Sequence, residues 1–161
     1  MHPTYEAANY VLRDSFTMLS DALEGLPDAA LDWTPVAGTS SLAVLATHSV
    51  TSTLFWVAAA AGASPEREEY IAKQRPAAFR TRGATAEELR ERIASTISEV
   101  TRLLSQGTDV SLEAAMPWIE DGGRRRSGAE CLMHAVGHLR EHVGQAQLMR
   151  DLWLAASREG H

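Results

Sequence analysis

Four stretches of this chain return to apolar residues every three or four positions, and that spacing, which gathers one face of an α-helix, restricts the fold more than any other feature. From about Thr4 to Glu24 the recurring set is Tyr5, Ala8, Leu12, Phe16, Leu19 and Leu23, ended by Gly25 and Pro27. LPDAALDWTPVAGTSS then collects turn formers, and its serines can cap a second helix from about Ser41 to Ala61, closed by Gly62 and Pro65. A polar link through EREEYIAKQRPAAFRTRG is long enough to cross a bundle, so the second and third helices need not be antiparallel neighbours. Thr85 and Glu88 have capping-box spacing and open a third helix, carried by Leu89, Ile93, Ile97, Val100 and Leu104 as far as Gly107. LEAAMPWIEDGGRRR reads as a loop or short hairpin turning at Asp121, Gly122 and Gly123. Ser127 and Glu130 repeat the capping box before a final helix that runs to about Ala156. The prediction is all-α: a four-helix bundle forming a single domain over residues 1–161, with a loop or short hairpin before the last helix.

A chain of 161 residues can bury about two thirds of its surface without staples. The single cysteine, Cys131, cannot form an internal disulfide and suits a reducing compartment. The N-terminal run is amphipathic and broken by charge, unlike a signal peptide, and the apolar part of the second helix reads as too short and too polar to span a membrane. A cytoplasmic protein without a membrane partner is expected. The formal charge of −6 disfavours nonspecific binding to nucleic acid. Arg124, Arg125 and Arg126 form the only dense basic run, and short charge runs are usually solvated turns.

Three of the six histidines, His134, His138 and His142, recur at spacing four in the final helix. At about 100° per residue, with His138 as zero, His134 falls near −40° and His142 near +40°. Gln145, Met149 and Leu152 share that sector, whereas Arg140, Gln147, Arg150 and Asp151 are assigned to the far side, so the imidazoles are expected to point into the bundle. Buried imidazoles need partners, and a metal ion is one way to supply them. Residues four apart lie roughly 6 Å apart along the axis, while His134 and His142 are roughly 12 Å apart and diverge by roughly 80°. The outer two therefore do not share an ion, but spacing leaves His134/His138 and His138/His142 both open. On the second helix, His48 lies in a sector of small and apolar residues that includes Val44, Leu45, Ser52 and Phe55, and is also directed inward. One histidine from one helix and two from another would make a three-nitrogen site with open coordination positions, as in catalytic rather than structural sites.

These residues resemble the DinB/YfiT-like superfamily of metal-binding four-helix proteins. LDWTPVAGTSSLAVLATHSVTSTLFW is similar to that family's loop and second helix, and MHAVGHLREHVGQAQLMRD to its last helix. The resemblance implies His48, His138 and His142 as the metal ligands, leaves His134 outside the set, and implies an up-down-down-up bundle. It also implies chemistry. Similar proteins include S-transferases using glutathione-like, bacillithiol or mycothiol cosubstrates and a thiol-dependent isomerase, so a metal-dependent S-transferase acting on a small-molecule thiol and an electrophilic substrate is the leading expectation. Similar proteins also pair, which makes a homodimer the expected assembly. Zinc or nickel is the first expectation for the ion, with manganese, iron or copper as further candidates.

Several neighbours of the histidines are candidates for supporting roles. Glu141, on the flank of the histidine face, is a candidate proton acceptor, which would serve the alternative of metal-dependent hydrolysis. Gln145, three residues after His142, is a candidate hydrogen-bond donor behind the metal ligands or a substrate contact. Arg124 and Arg126 are candidates for holding a carboxylate-bearing thiol, and Trp33, Trp56 and Trp118 for lining a pocket by the metal. Cys131 reads as a small core residue. A non-enzymatic alternative is a stress-related bundle whose ion only ties two helices together.

Overall fold

A computed structural model describes residues 1–63, 65–118 and 123–159. The chain forms α1 (Pro3–Leu23), α2 (Asp28–Asp32), α3 (Leu42–Ala60), α4 (Arg67–Glu69), a π-helical segment (Tyr70–Gln74), α5 (Arg75–Phe79), α6 (Ala86–Gln106), α7 (Asp109–Glu113) and α8 (Gly128–Glu159). The all-α expectation holds, and the four long helices begin and end close to the positions read from periodicity. Their starts follow from side-chain caps. Ser41 accepts from Val44 N–H, and both Thr85/Glu88 and Ser127/Glu130 form reciprocal capping boxes. His2 caps α1 by accepting from Thr4 N–H, and its Nε2 lies 2.8 Å from Asp109 Oδ1.

The long helices close into a ring in which α3 and α1 each pack between α6 and α8, so α1 and α3 occupy opposite corners. Along the α1–α8 seam, Arg140 reaches Asp14 at 2.6 Å, and Arg150 donates to the carbonyls of Asp21, Ala22 and Glu24 at the end of α1. These two helices therefore run the same way. On the α3–α8 seam His48 meets His138 whereas Trp56, farther along α3, meets His134, earlier on α8, so this pair runs in opposite directions. The core between them includes Leu12, Phe16, Val57, Ile93, Leu104, Leu132 and Leu139.

Helix α3 is buried along most of its surface. By length and composition it is in fact apolar enough to cross a membrane, contrary to the reading of it as too short and polar. Its setting as the most enclosed helix of the bundle accounts for that composition.

The links are more ordered than their polarity implies. Asp28–Asp32 forms a helical turn that buries Ala30 and Leu31 completely. Arg67–Phe79, read from sequence as a polar link, is a continuous helical run laid across α3, anchored by buried Tyr70 and Ala78. Tyr70 stacks on Phe55 with centroids 4.2 Å apart. Pro76 has no N–H to continue the ladder and its ring crowds the preceding turn, and the run widens just before it, with Arg75 N–H bonding to Tyr70 O. Before α8 an isolated antiparallel bridge joins Ala115 to Ser127, with Met116 N–H donating to Arg126 O at 2.8 Å and Gly128 N–H to Ala114 O at 3.0 Å. Asp121 and Gly122 of the expected turn lie outside the described residues.

A candidate three-histidine metal centre

The buried stripe of α8 consists of Cys131, Leu132, Ala135, Leu139, Val143, Ala146 and Met149. At about 100° per residue its centre lies roughly 80–100° round from His138. The histidines thus sit on the shoulder of the core stripe and are half-buried rather than pointed into the centre. Gln145 and Leu152, assigned by sequence to the inward sector, are exposed, and only Met149 of that group is buried. The shoulder of α8 faces α3, where His48 is buried, and this places imidazoles from both helices against one another.

His48 Nε2 lies 3.3 Å from His138 Nε2, and His142 Nε2 lies 3.2 Å from the same atom. One ring nitrogen from each of the three lies within 4.8 Å of the others, so the trio can hold a metal ion. Two nitrogens bound at about 2.1 Å and separated by about 90–109° would stand roughly 3.0–3.4 Å apart, which matches both contacts. The side chain of Gln145 selects the tautomer of His142. Its Oε1 accepts from His142 Nδ1–H at 2.8 Å, so the neutral form of the ring presents Nε2 as the lone pair aimed at the cluster. His138 Nε2 can then donate to one neighbour or accept from the other, so at most one of the two nitrogen contacts is a hydrogen bond. A cation between the rings satisfies all three at once.

Burial lowers the pKa of His48 to about 4, helped by the charges of His142 and Arg75. Burial likewise lowers that of His138 to about 3, with contributions from His142, His48, His134 and Arg75. Both are held as neutral imidazole, the form that binds metals. His48 Nδ1 is buried with no hydrogen-bond partner among the described residues, so the packing of its ring, rather than an outer hydrogen bond, fixes its orientation.

That packing comes from a residue absent from the sequence reading. Phe79 of α5 lies over His48 with centroids 4.5 Å apart, and the Arg75 guanidinium sits 5.0 Å from the Phe79 ring. Their i, i+4 spacing, with buried Ala78 beside them, was the available signal, hidden in a segment dominated by charge.

A model of the DinB superfamily matches residues 12–146. The chain belongs to the DinB superfamily. Its fold is similar to that of a conserved protein from Enterococcus faecalis, at 15% identity and a TM-score of 0.76 over 96% of this chain and 99% of that one. It is also similar to the mycothiol-dependent maleylpyruvate isomerase, at 12% identity and a TM-score of 0.62. The match covers 86% of this chain but 59% of the isomerase, so the DinB chain spans about three fifths of that protein's length. No curated protein matches the sequence.

Within this DinB bundle the remaining predicted site residues divide. Gln145 reaches the cluster through His142, as an acceptor rather than a donor. His134 stacks against His138 with centroids 5.4 Å apart and lies edge-on to Trp56, and is not one of the three converging ligands. Glu141 is exposed, and no hydrogen bond or ion pair among the described residues joins it to the cluster. Arg124 pairs with Glu130 at 2.7 Å and Arg126 lies over Trp56 at 5.0 Å. Both border a depression with His134 that none of the three clustered histidines lines. Trp56 and Trp118 flank Phe55, one layer from the cluster. Trp33 is elsewhere: it packs edge-on against Trp153, which follows His142 by eleven residues, about 16 Å along α8. Cys131 is fully buried in the core, as expected.

Proposed function

We propose that this DinB protein is a metal-dependent S-transferase in which His48, His138 and His142 hold a divalent ion and a low-molecular-weight thiol is joined to an electrophile. The observation that carries the reading is the set of three imidazole nitrogens converging from two helices, those of His48 and His138 held neutral by burial, with no fourth protein ligand among the described residues. Three protein ligands with further positions open is the arrangement of catalytic sites. When bound, the ion supplies the Lewis acidity that keeps an external thiol in its nucleophilic thiolate form. The thiol comes from outside because Cys131, the one cysteine, is sealed in the core. Similarity to an isomerase described as mycothiol-dependent supports a thiol as the cosubstrate class. A three-imidazole donor set suits zinc or nickel first, with manganese or iron as alternatives.

The chain's own residues have separable tasks. Gln145 holds the His142 ring so that its lone pair faces the ion, and Phe79 excludes water from one side of His48. Arg75, whose charge registers at both His48 and His138, favours an anionic thiol at the site. Metal analysis of untagged protein should give one ion per chain, with loss in His48→Ala and His138→Ala. The zinc-, nickel- and manganese-loaded proteins should then be assayed for consumption of glutathione, bacillithiol and mycothiol against epoxides and activated alkenes. Stoichiometric metal in both variants overturns the site, and metal without thiol consumption overturns the transferase.

A further inference from the structure

A cavity of about 660 Å³ lies on the other flank of α3, between that helix, α5 and α6. None of the clustered histidines lines it. Helix α3 separates the two regions: His48 faces α8, whereas Thr47, Thr51, Leu54 and Ala58, at spacings of three and four, face the cavity. Its volume lies within the range of roughly 300–1,000 Å³ typical of small-molecule sites, and its lining mixes polar with apolar side chains while exposing more apolar than polar surface.

One end carries a polar cluster with a cation. Arg92 of α6 donates to Thr51 Oγ1 at 3.5 Å, and no carboxylate pairs with Arg92 among the described residues. Thr51 in turn donates to the Thr47 carbonyl at 2.8 Å. The Thr47 hydroxyl is an independent sign: the residue is 5% exposed and lines the cavity, yet its Oγ1 has no hydrogen-bond partner among the described residues. A buried hydroxyl left without a partner is destabilising unless a ligand supplies its hydrogen bond. Seven residues along α3, about 10 Å away, the cavity is bounded by Ala58 and Pro65, with Leu54, Ala77 and Ala78 between. Glu66 also lines the cavity beside Pro65, so a cation stands toward one end and an anion toward the other.

We propose that this cavity is a second ligand site, distinct from the histidine centre, for a small monocarboxylate with an unbranched apolar body about 10 Å long. The carboxylate pairs with Arg92 beside the Thr51 and Thr47 hydroxyls, and the apolar chain lies along Leu54, Ala58, Ala77 and Ala78. Glu66 sets the orientation by repelling a carboxylate from its end. An apolar body gains from leaving water, and the Arg92 pair discriminates the acid from a neutral analogue of the same length.

The test is an NMR titration of the ¹⁵N-labelled full chain, with and without added zinc, using octanoate and octan-1-ol as probes. Octanoate should give saturable shifts centred on residues 47–58, 74–81 and 92–96 in both preparations. Arg92→Gln, an exposed position, should weaken octanoate by at least about fivefold, the scale of a partly solvated ion pair, and leave octan-1-ol unchanged. Ala77→Phe, which fills the cavity, should abolish both. Shifts scattered over other exposed apolar residues, or octanoate binding equally well to Arg92→Gln and wild type, would overturn the proposal.

Discussion

Replacing His48 with glutamine in metal-free protein should flatten the acid dependence of stability. His48 is 4% exposed, and burial among its neighbours lowers its pKa from 6.5 to about 4. Because the folded value is depressed, the unfolded chain takes up the proton first as the pH falls. Stability from this group is therefore complete above pH 6.5 and is lost as the pH drops through the interval down to about 4. At about 1.4 kcal/mol per pH unit, the whole interval corresponds to about 3 kcal/mol. Between pH 7.5 and pH 5 the linkage relation gives a loss of about 2 kcal/mol from His48 alone, or roughly 4–8 °C in Tm for a chain of this size. Urea unfolding of stripped wild type and His48→Gln at both pH values isolates this contribution, since the carboxylates titrate in both proteins. Wild type should lose about 2 kcal/mol more than the variant over that range. Equal losses would refute the claim that His48 is held neutral by its enclosure.

Other substitutions separate the supports of the site from the supports of the fold. Gln145→Leu removes the acceptor for His142 Nδ1–H at an exposed position, so metal affinity measured by competition with a chelator should fall about tenfold or more with unchanged Tm. Unaltered affinity would show that Gln145 does not orient the ring. Phe79→Ala uncovers His48 and should move its pKa up toward 6.5 in an NMR titration of the metal-free protein; a value still near 4 would assign the desolvation to other residues. Two glycines of α8 should respond oppositely to alanine. At Gly128 a Cβ would overlap the Ser111 backbone carbonyl, costing roughly 2 kcal/mol or more. At Gly137 nothing lies within 4 Å, so alanine should stabilise the helix by about 0.5–1 kcal/mol in thermal or urea melts.

The bundle was legible because its signals are local. Leu12, Phe16 and Leu19 mark one face of a helix whatever they pack against, and Thr85/Glu88 and Ser127/Glu130 satisfy backbone groups within a single turn. The link helices were obscured because Arg67–Phe79 carries five charged residues among thirteen, and Pro76. Its helicity depends on Tyr70 and Ala78 finding space against the bundle. The same cause hid Phe79, whose role as the cover of His48 exists only once that segment is laid across α3. Trp33 was misplaced for the complementary reason: aromatic composition carries no address, and its partner, Trp153, lies far down α8.

By itself the sequence determined four helices, their caps, and two histidine-bearing faces, because helix geometry fixes which residues share a side. Spacing alone excluded His134 and His142 as ligands of one ion but left two pairs open. The structure brings His138 and His142 together with His48, and this arises from where α3 lies against α8. With the true core stripe centred on Leu132, Leu139 and Val143, the histidines fall on its shoulder, and that shoulder meets His48. Rotational setting depends on the packing of all four helices together, and so only tertiary structure could bring three imidazole nitrogens to one point.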